Sequence, residues 1–132
     1  MRPRLGTRGA AAVEFAVAIS VVLVLMFAMF DLGLLFAAQH ALNYGVAVAA
    51  RYAVVNSTAS VATIKSQFVT AITPAVGATK ASSASVMVTF SPSEKVGGTV
   101  TVSATLAWSP VAAIDNLTAA TLSSSHTLTI QH

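Results

Sequence analysis

Gly9 and Glu14 are the residues whose types and spacing point to chemistry: a cut in the chain followed by a contact. A protease cutting after Gly9 would free the α-amino group of Ala10 at the start of the segment AAAVEFAVAISVVLVLMF. Glu14 lies one helical turn further on, inside an apolar layer, where a charged acid costs up to about 3 kcal/mol on insertion scales. The cost is lower near the interface or when the acid is protonated, so a shallow carboxylate that snorkels or stays neutral is one reading. The other is a cation at the same depth: the new amino group of the same chain, or that of a neighbouring molecule after a small axial shift. In a low-dielectric layer such a pair should outweigh its surface equivalent, after the desolvation of both ions is subtracted. It would set a register for assembly.

Other chemistry finds few parts. Downstream of the apolar segment the acids are Glu94, in an expected turn, and Asp115, in an expected loop. No nucleophile stands beside a base, no serine has a G-x-S-x-G context, and no glycine fingerprint for phosphate is present. His40, His126 and His132 are too scattered to make a metal site. There are no cysteines, which excludes disulfides and thiolate chemistry. The sequence reads as a non-enzyme without catalytic residues, cofactor, metal or small-molecule substrate.

The charge pattern argues against nucleic acid as a partner. The net charge is +3, and Arg2, Arg4 and Arg8 account for it, because Arg51, Lys65, Lys80 and Lys95 are balanced by Glu14, Asp31, Glu94 and Asp115. A phosphate-binding surface needs clustered cations. Here the cations form an N-terminal address.

What positions Gly9 and Glu14 is a membrane helix. Hydrophobic residues make up 55% of the chain and charged residues 8%, far from an ordinary soluble composition. From Ala10 to Ala38 the charged side chains are Glu14 and Asp31. Arg8 at one headgroup layer and Asp31 at the other are separated by about 34 Å of helix, matching the hydrocarbon core with its margins. On this placement Asp31 is expected to be interfacial and otherwise unremarkable. The preceding arginines put the N-terminus in the cytoplasm and the remainder outside. A cleaved secretory signal is the alternative, but its apolar core is usually about 7–15 residues with an A-x-A-like site, and this run is longer without a clean site.

Gly9, the small or apolar run Ala10, Ala11, Ala12 and Val13, then Glu14 and Phe15 before a long apolar helix, resembles the cleavage and assembly motif of type IV prepilins. More specifically, RGAAAVEFAVAIS followed by Asp31, Gly33 and NYGVAVAARYA resembles the TadE-like minor pilins and pseudopilins of tight-adherence (Flp) pilus systems, over Arg8 to Ala53. Leu34 stands where that family commonly has a basic residue, and Phe15 where major Flp pilins usually have tyrosine. The resemblance implies a prepilin peptidase substrate cut between Gly9 and Ala10, with Glu14 and Phe15 as assembly contacts. Implied partners are the peptidase, other pilins, inner-membrane pilus assembly proteins and membrane lipid. The implied location is the bacterial inner membrane, single pass, with possible entry into the pilus. The rival reading is an unprocessed, permanently anchored accessory or binding protein with an outer domain; a third is a cleaved secreted domain.

Beyond the membrane the helix is expected to continue to Val55, with Gly45 costing about 1 kcal/mol relative to alanine. At 100° per residue Gln39, His40, Asn43, Tyr44 and Arg51 share one arc, opposite Ala41, Leu42, Gly45, Val46, Val48, Ala49 and Ala53. Within the apolar side runs a four-residue ladder: Gly33, Ala37, Ala41, Gly45, Ala49, Ala53. Small residues at this spacing let another backbone approach closely, either the protein's own domain or a neighbouring helix.

From residue 56 onward a second helix is expected, capped by Ser57 or Thr58, with core face Val61, Ile64, Phe68 and Ile72 and ended by Pro74 and Gly77. GATKASSAS reads as a loose segment. SVMVTFS and TVTVSATLAW alternate with period two about the turn PSEKVGG, and Leu122 to Ile130 alternates more weakly as a third strand. The expected fold is α+β and pilin-like: a long N-terminal helix, transmembrane then amphipathic, packed on a small antiparallel sheet. Its divisions are a basic leader over 1–9, a transmembrane helix over 10–38, its continuation over 39–55, and an extracytoplasmic domain over 56–132. A domain that small is thinly stabilised alone, so the apolar half of the long helix is expected to complete its core.

Overall fold

The computed structural model describes residues 7–56, 58–91, 97–110 and 119–131. Its first element is a single helix, α1, Thr7–Val55, of 49 residues, about 73 Å long at 1.5 Å per residue. No proline interrupts it, and its three glycines, Gly9, Gly33 and Gly45, are accommodated without a break. Two shorter helices follow, α2 (Val61–Val76) and α3 (Ala78–Ser83), then strands β1 (Ser85–Ser91), β2 (Thr99–Trp108) and β3 (Ala120–Thr129). The strands form an antiparallel sheet in the order β1-β2-β3. The architecture is α+β, a long N-terminal helix on a three-stranded antiparallel sheet.

The sheet follows from its alternation. Val86, Val88 and Phe90 of β1 and Val100, Val102, Ala104, Leu106 and Trp108 of β2 turn to the helical side. The central register places Val102 between Val88 and His126. β3 alternates less cleanly: Leu122 and Leu128 are half-buried, whereas His126 is exposed. Hydroxyls occupy the opposite face, where Thr101 Oγ1 and Thr127 Oγ1 lie 2.8 Å apart across the β2–β3 pair.

The second half of α1 lies over β2 and β3, α2 packs against α1, and α3 meets α2 and β2. Leu42, Val46, Ala49, Ala50 and Ala53 of α1 are fully buried, together with Ile64, Phe68 and Ile72 of α2 and Val100 and Val102 of β2. Each large side chain in that set contributes about 1.5–3 kcal/mol of burial relative to exposure. The long helix supplies much of the core of the domain that follows it. Gln39 adds a polar tie, its Nε2 donating to the Ser123 carbonyl of β3 at 3.1 Å.

Several local expectations need correction. The cap of α2 is Ser60, whose side-chain oxygen accepts from the Thr63 N–H; Thr58 lies in a turn before it, and Ser57 is outside the described residues. With the start displaced, Val61 is the first helical residue and 42% exposed rather than part of the core face. Pro74 lies inside α2. So close to the helix end, a missing N–H removes one bond at most, and the helix closes at Gly77, whose φ of 84° suits a residue without Cβ. Part of the expected loose segment is α3, anchored by the fully buried Ala81. On α1, Ala50 joins the buried face and Val48 is only half-buried. The turn between β1 and β2 lies mostly outside the described residues, which include its end at Gly97 and Gly98.

Candidate functional site

The first half of α1 stands away from the domain. Residues 10–27 are all exposed within the chain, including Val13 (65%), Phe15 (69%) and the carboxylate-bearing Glu14. Among the described residues this is the one helix long and apolar enough to cross a membrane, with a mean hydropathy of 2.6 over its most apolar window and none of that window buried. An apolar surface of this extent needs another apolar phase to cover it.

Gly9 and Ala10 lie in the first turns of α1, and Glu14 follows one turn after Ala10 on the same uninterrupted helix. The two positions are fixed relative to each other by about 1.5 Å of rise per residue, roughly 6 Å between Ala10 and Glu14. Phe15 stands beside Glu14 on the exposed surface. Arg2 and Arg4 lie outside the described residues.

Asp31 departs from expectation. Its surroundings are not unremarkable: it is 2% exposed and is the buried charged residue among those described. It is not left without a partner within the fold. Its neighbours along the helix, Leu32 (49%) and Phe36 (65%), remain exposed on the other side. The domain therefore closes over one face of α1 at the level of Asp31 while the opposite face stays bare. Sequence reasoning placed Asp31 by depth alone. Depth along an axis carries no information about which side of a helix is covered.

The small-residue ladder divides at the same level. Ala41, Gly45, Ala49 and Ala53 are buried, whereas Gly33 and Ala37 are exposed. A Cβ built on Gly45 would collide with Cγ2 of Ile72 and lie 3.1 Å from the ring of Phe68. Nothing lies within 4 Å of the same position on Gly33. The upper ladder lets α2 approach α1, and the lower ladder faces outward.

His40 is exposed on α1 and His126 is exposed on β3, and among the described residues no group of potential ligands is arranged to hold a metal ion. Glu94 and Asp115 lie outside the described residues.

Residues 9–51 match the family model described as TadE-like protein. The matched segment begins at Gly9 and takes in Glu14, Asp31 and most of α1. Over this segment, about a third of the chain, it is similar to TadE-like proteins. No curated protein and no solved structure gives a match.

Proposed function

We propose that this chain, TadE-like over its first third, is the membrane-held precursor of a minor pilin or pseudopilin needed to assemble a tight-adherence pilus. A prepilin peptidase removes the basic leader between Gly9 and Ala10. The mature chain joins or primes the pilus through α1, with Glu14 and Phe15 as its contacts. The observation that carries this reading is the coincidence of Gly9, where the family match begins, with Glu14, exposed on the half of α1 that the rest of the fold leaves bare.

The physical steps are simple. Glycine is poor in helix interiors by about 1 kcal/mol relative to alanine, so the turn carrying the Gly9–Ala10 bond is easily opened for proteolysis. Cleavage leaves an ammonium on Ala10. That group and a Glu14 carboxylate, on the same or an adjacent molecule, neutralise each other where neither is well solvated. The domain contributes shape and a rigid grip on the helix rather than catalysis.

The N-terminus is cytoplasmic and the α+β domain extracytoplasmic, following the arginines before the span. The partners are the peptidase, other pilins, inner-membrane assembly proteins and lipid. The intact mass and N-terminal sequence of membrane-extracted protein, from cells with and without the peptidase, test the processing step.

A further inference from the structure

We infer that the free edge of β1 in one copy of this chain pairs in parallel with the free edge of β3 in a second copy, joining two domains held in the same membrane. This rests on the membrane-anchored reading of α1 and is independent of cleavage at Gly9.

Neither edge strand carries the features that prevent such pairing. In the order β1-β2-β3 both outer strands have an unpaired side among the described residues. β3 is ten residues long and β1 seven, and both registers run without a bulge. Neither strand contains proline, lysine, arginine, aspartate or glutamate. Natural sheets guard their edges with such residues, with bulges or with very short strands. Here two copies meet edge to edge without like-charge repulsion.

The hydrogen bonds show which groups each edge offers. Ile130 N–H donates to the Gly98 carbonyl at 2.8 Å, and Gly97 N–H donates to the Ile130 carbonyl at 2.9 Å. Residues bonded to the neighbouring strand alternate with residues turned away from it. The even-numbered residues of β3 therefore bond to β2, and the odd-numbered ones, from Thr121 to Thr129, aim their backbone groups off the sheet. The Ser123 carbonyl agrees, since it accepts from Gln39 Nε2 of α1; a carbonyl has two lone pairs, so a second donor still fits. Carried across β2, the same alternation makes Val86, Val88 and Phe90 the outward-bonding residues of β1. These lie on the helical face, whereas the outward-bonding residues of β3 lie on the hydroxyl face. Parallel pairing needs that offset, because each residue bonding across the gap stands beside one turned away, with both side chains on the same face.

Symmetry selects the partner. β1 and β3 run in the same direction. Setting β1 of one copy beside β3 of another keeps the helical faces continuous and both α1 helices heading the same way. Antiparallel pairing of β3 with β3, or of β1 with β1, reverses one α1 and takes it out of the shared membrane. Parallel pairing of like edges turns the helical face of one copy onto the hydroxyl side of the other. The β1–β3 joint instead gathers Val88 and Phe90 with Leu122 and Leu128, all left half-buried in the single chain. Sheet twist of about 20–25° per strand turns the second copy by roughly 60–75°, so each span tilts by at most about 30–37°, within the range of membrane helices. A third copy exceeds that range, and the assembly is a pair.

The chain has no cysteine, so introduced cysteines report the joint directly. Full-length chains bearing Thr89→Cys are co-expressed in one membrane with differently tagged chains bearing one cysteine at an odd-numbered position of β3, and oxidised. All these positions are exposed on the hydroxyl face. The expected result is a cross-linked dimer between Thr89→Cys and one β3 position. Met87→Cys shifts that position two residues toward the start of β3, as parallel strands require. Neither cysteine links to itself above the level of Lys65→Cys, exposed on α2. Ser125→Pro removes an N–H that points off the sheet and spares the β2 ladder. It lowers dimerisation about tenfold, the worth of one or two hydrogen bonds; should it fail to fold, the cysteine pairs still decide.

A β3 position that shifts the opposite way overturns the pair, as do links only between like edges, ladders beyond dimers from a chain carrying both cysteines, or linkage only to a different protein. Absence of links above Lys65→Cys, in a chain that resists alkaline carbonate extraction, overturns the pair and leaves the anchor standing. Release of the chain by carbonate overturns the anchor and the membrane-held pair together.

Discussion

Glu14 and Asp31, two carboxylates on one unbroken helix about 26 Å apart along its axis, occupy opposite environments: Glu14 is exposed and Asp31 is 2% exposed. One acid is available to another molecule, and the other belongs to the fold of its own chain. We predict that this difference separates their mutant phenotypes. Asp31→Ala removes a buried, engaged side chain and should cost about 1–3 kcal/mol, seen as a lowered Tm of the full chain in detergent. Glu14→Ala should leave that Tm within experimental scatter. Equal melting of both variants with wild type would remove the distinction.

For assembly the order reverses. Glu14→Ala is predicted to insert into the membrane at wild-type level and to enter or prime the pilus poorly, because the amino group of Ala10 loses its counter-charge. Membrane fractionation and quantification of sheared pili check the two halves separately. Wild-type piliation with Glu14→Ala would remove Glu14 from the assembly contact.

The ladder offers a paired test. Gly45→Leu must push Ile72 and the Phe68 ring away from α1, and overpacking of this kind typically costs about 1–3 kcal/mol or more. It should become protease-sensitive while still inserting. A Cβ on Gly33 meets nothing within 4 Å, so Gly33→Leu should fold normally; impaired piliation by that variant would place the lower ladder against a neighbouring helix. A Gly45→Leu chain as protease-resistant as wild type would contradict the packing described.

The α2 side of the same contact should be equally sensitive. Phe68 is fully buried between the helices and sheet, and Phe68→Ala should lose about 3–5 kcal/mol. Ser60→Ala, which removes the cap bond to Thr63, should lose about 1 kcal/mol. Denaturant titration of the full chain in detergent distinguishes them, and a smaller loss for Phe68→Ala than for Ser60→Ala would contradict this account of the core.

Those magnitudes explain which features were legible in the sequence. β1 and β2 alternate with period two because one face is covered by helices, and the pattern of Val86, Val88 and Phe90 against Val100 to Trp108 transfers directly into the structure. The length of α1 was legible because nothing in it breaks a helix. The start of α2 was not, since Ser57, Thr58 and Ser60 are all competent caps and only packing chooses among them. GATKASSAS looked loose because its serines and glycine favour turns, yet burial of Ala81 is enough to fix a short helix there. Gly9 and Glu14 stand out from sequence because one interrupts, at a fixed distance, an otherwise apolar run begun by the other. Asp31 has the same chemistry as Glu14, but its burial depends on the fold closing over one helical face, a tertiary event with no local signature.

The central claim is tested most directly by the N-terminus of the protein itself. Intact mass and N-terminal sequencing of membrane-extracted chain, from cells with and without prepilin peptidase, should show a chain beginning at Ala10 only where the enzyme is present. A full-length chain beginning at Met1 in both would contradict processing, and Glu14 would then lose the counter-ion that the account assigns to it.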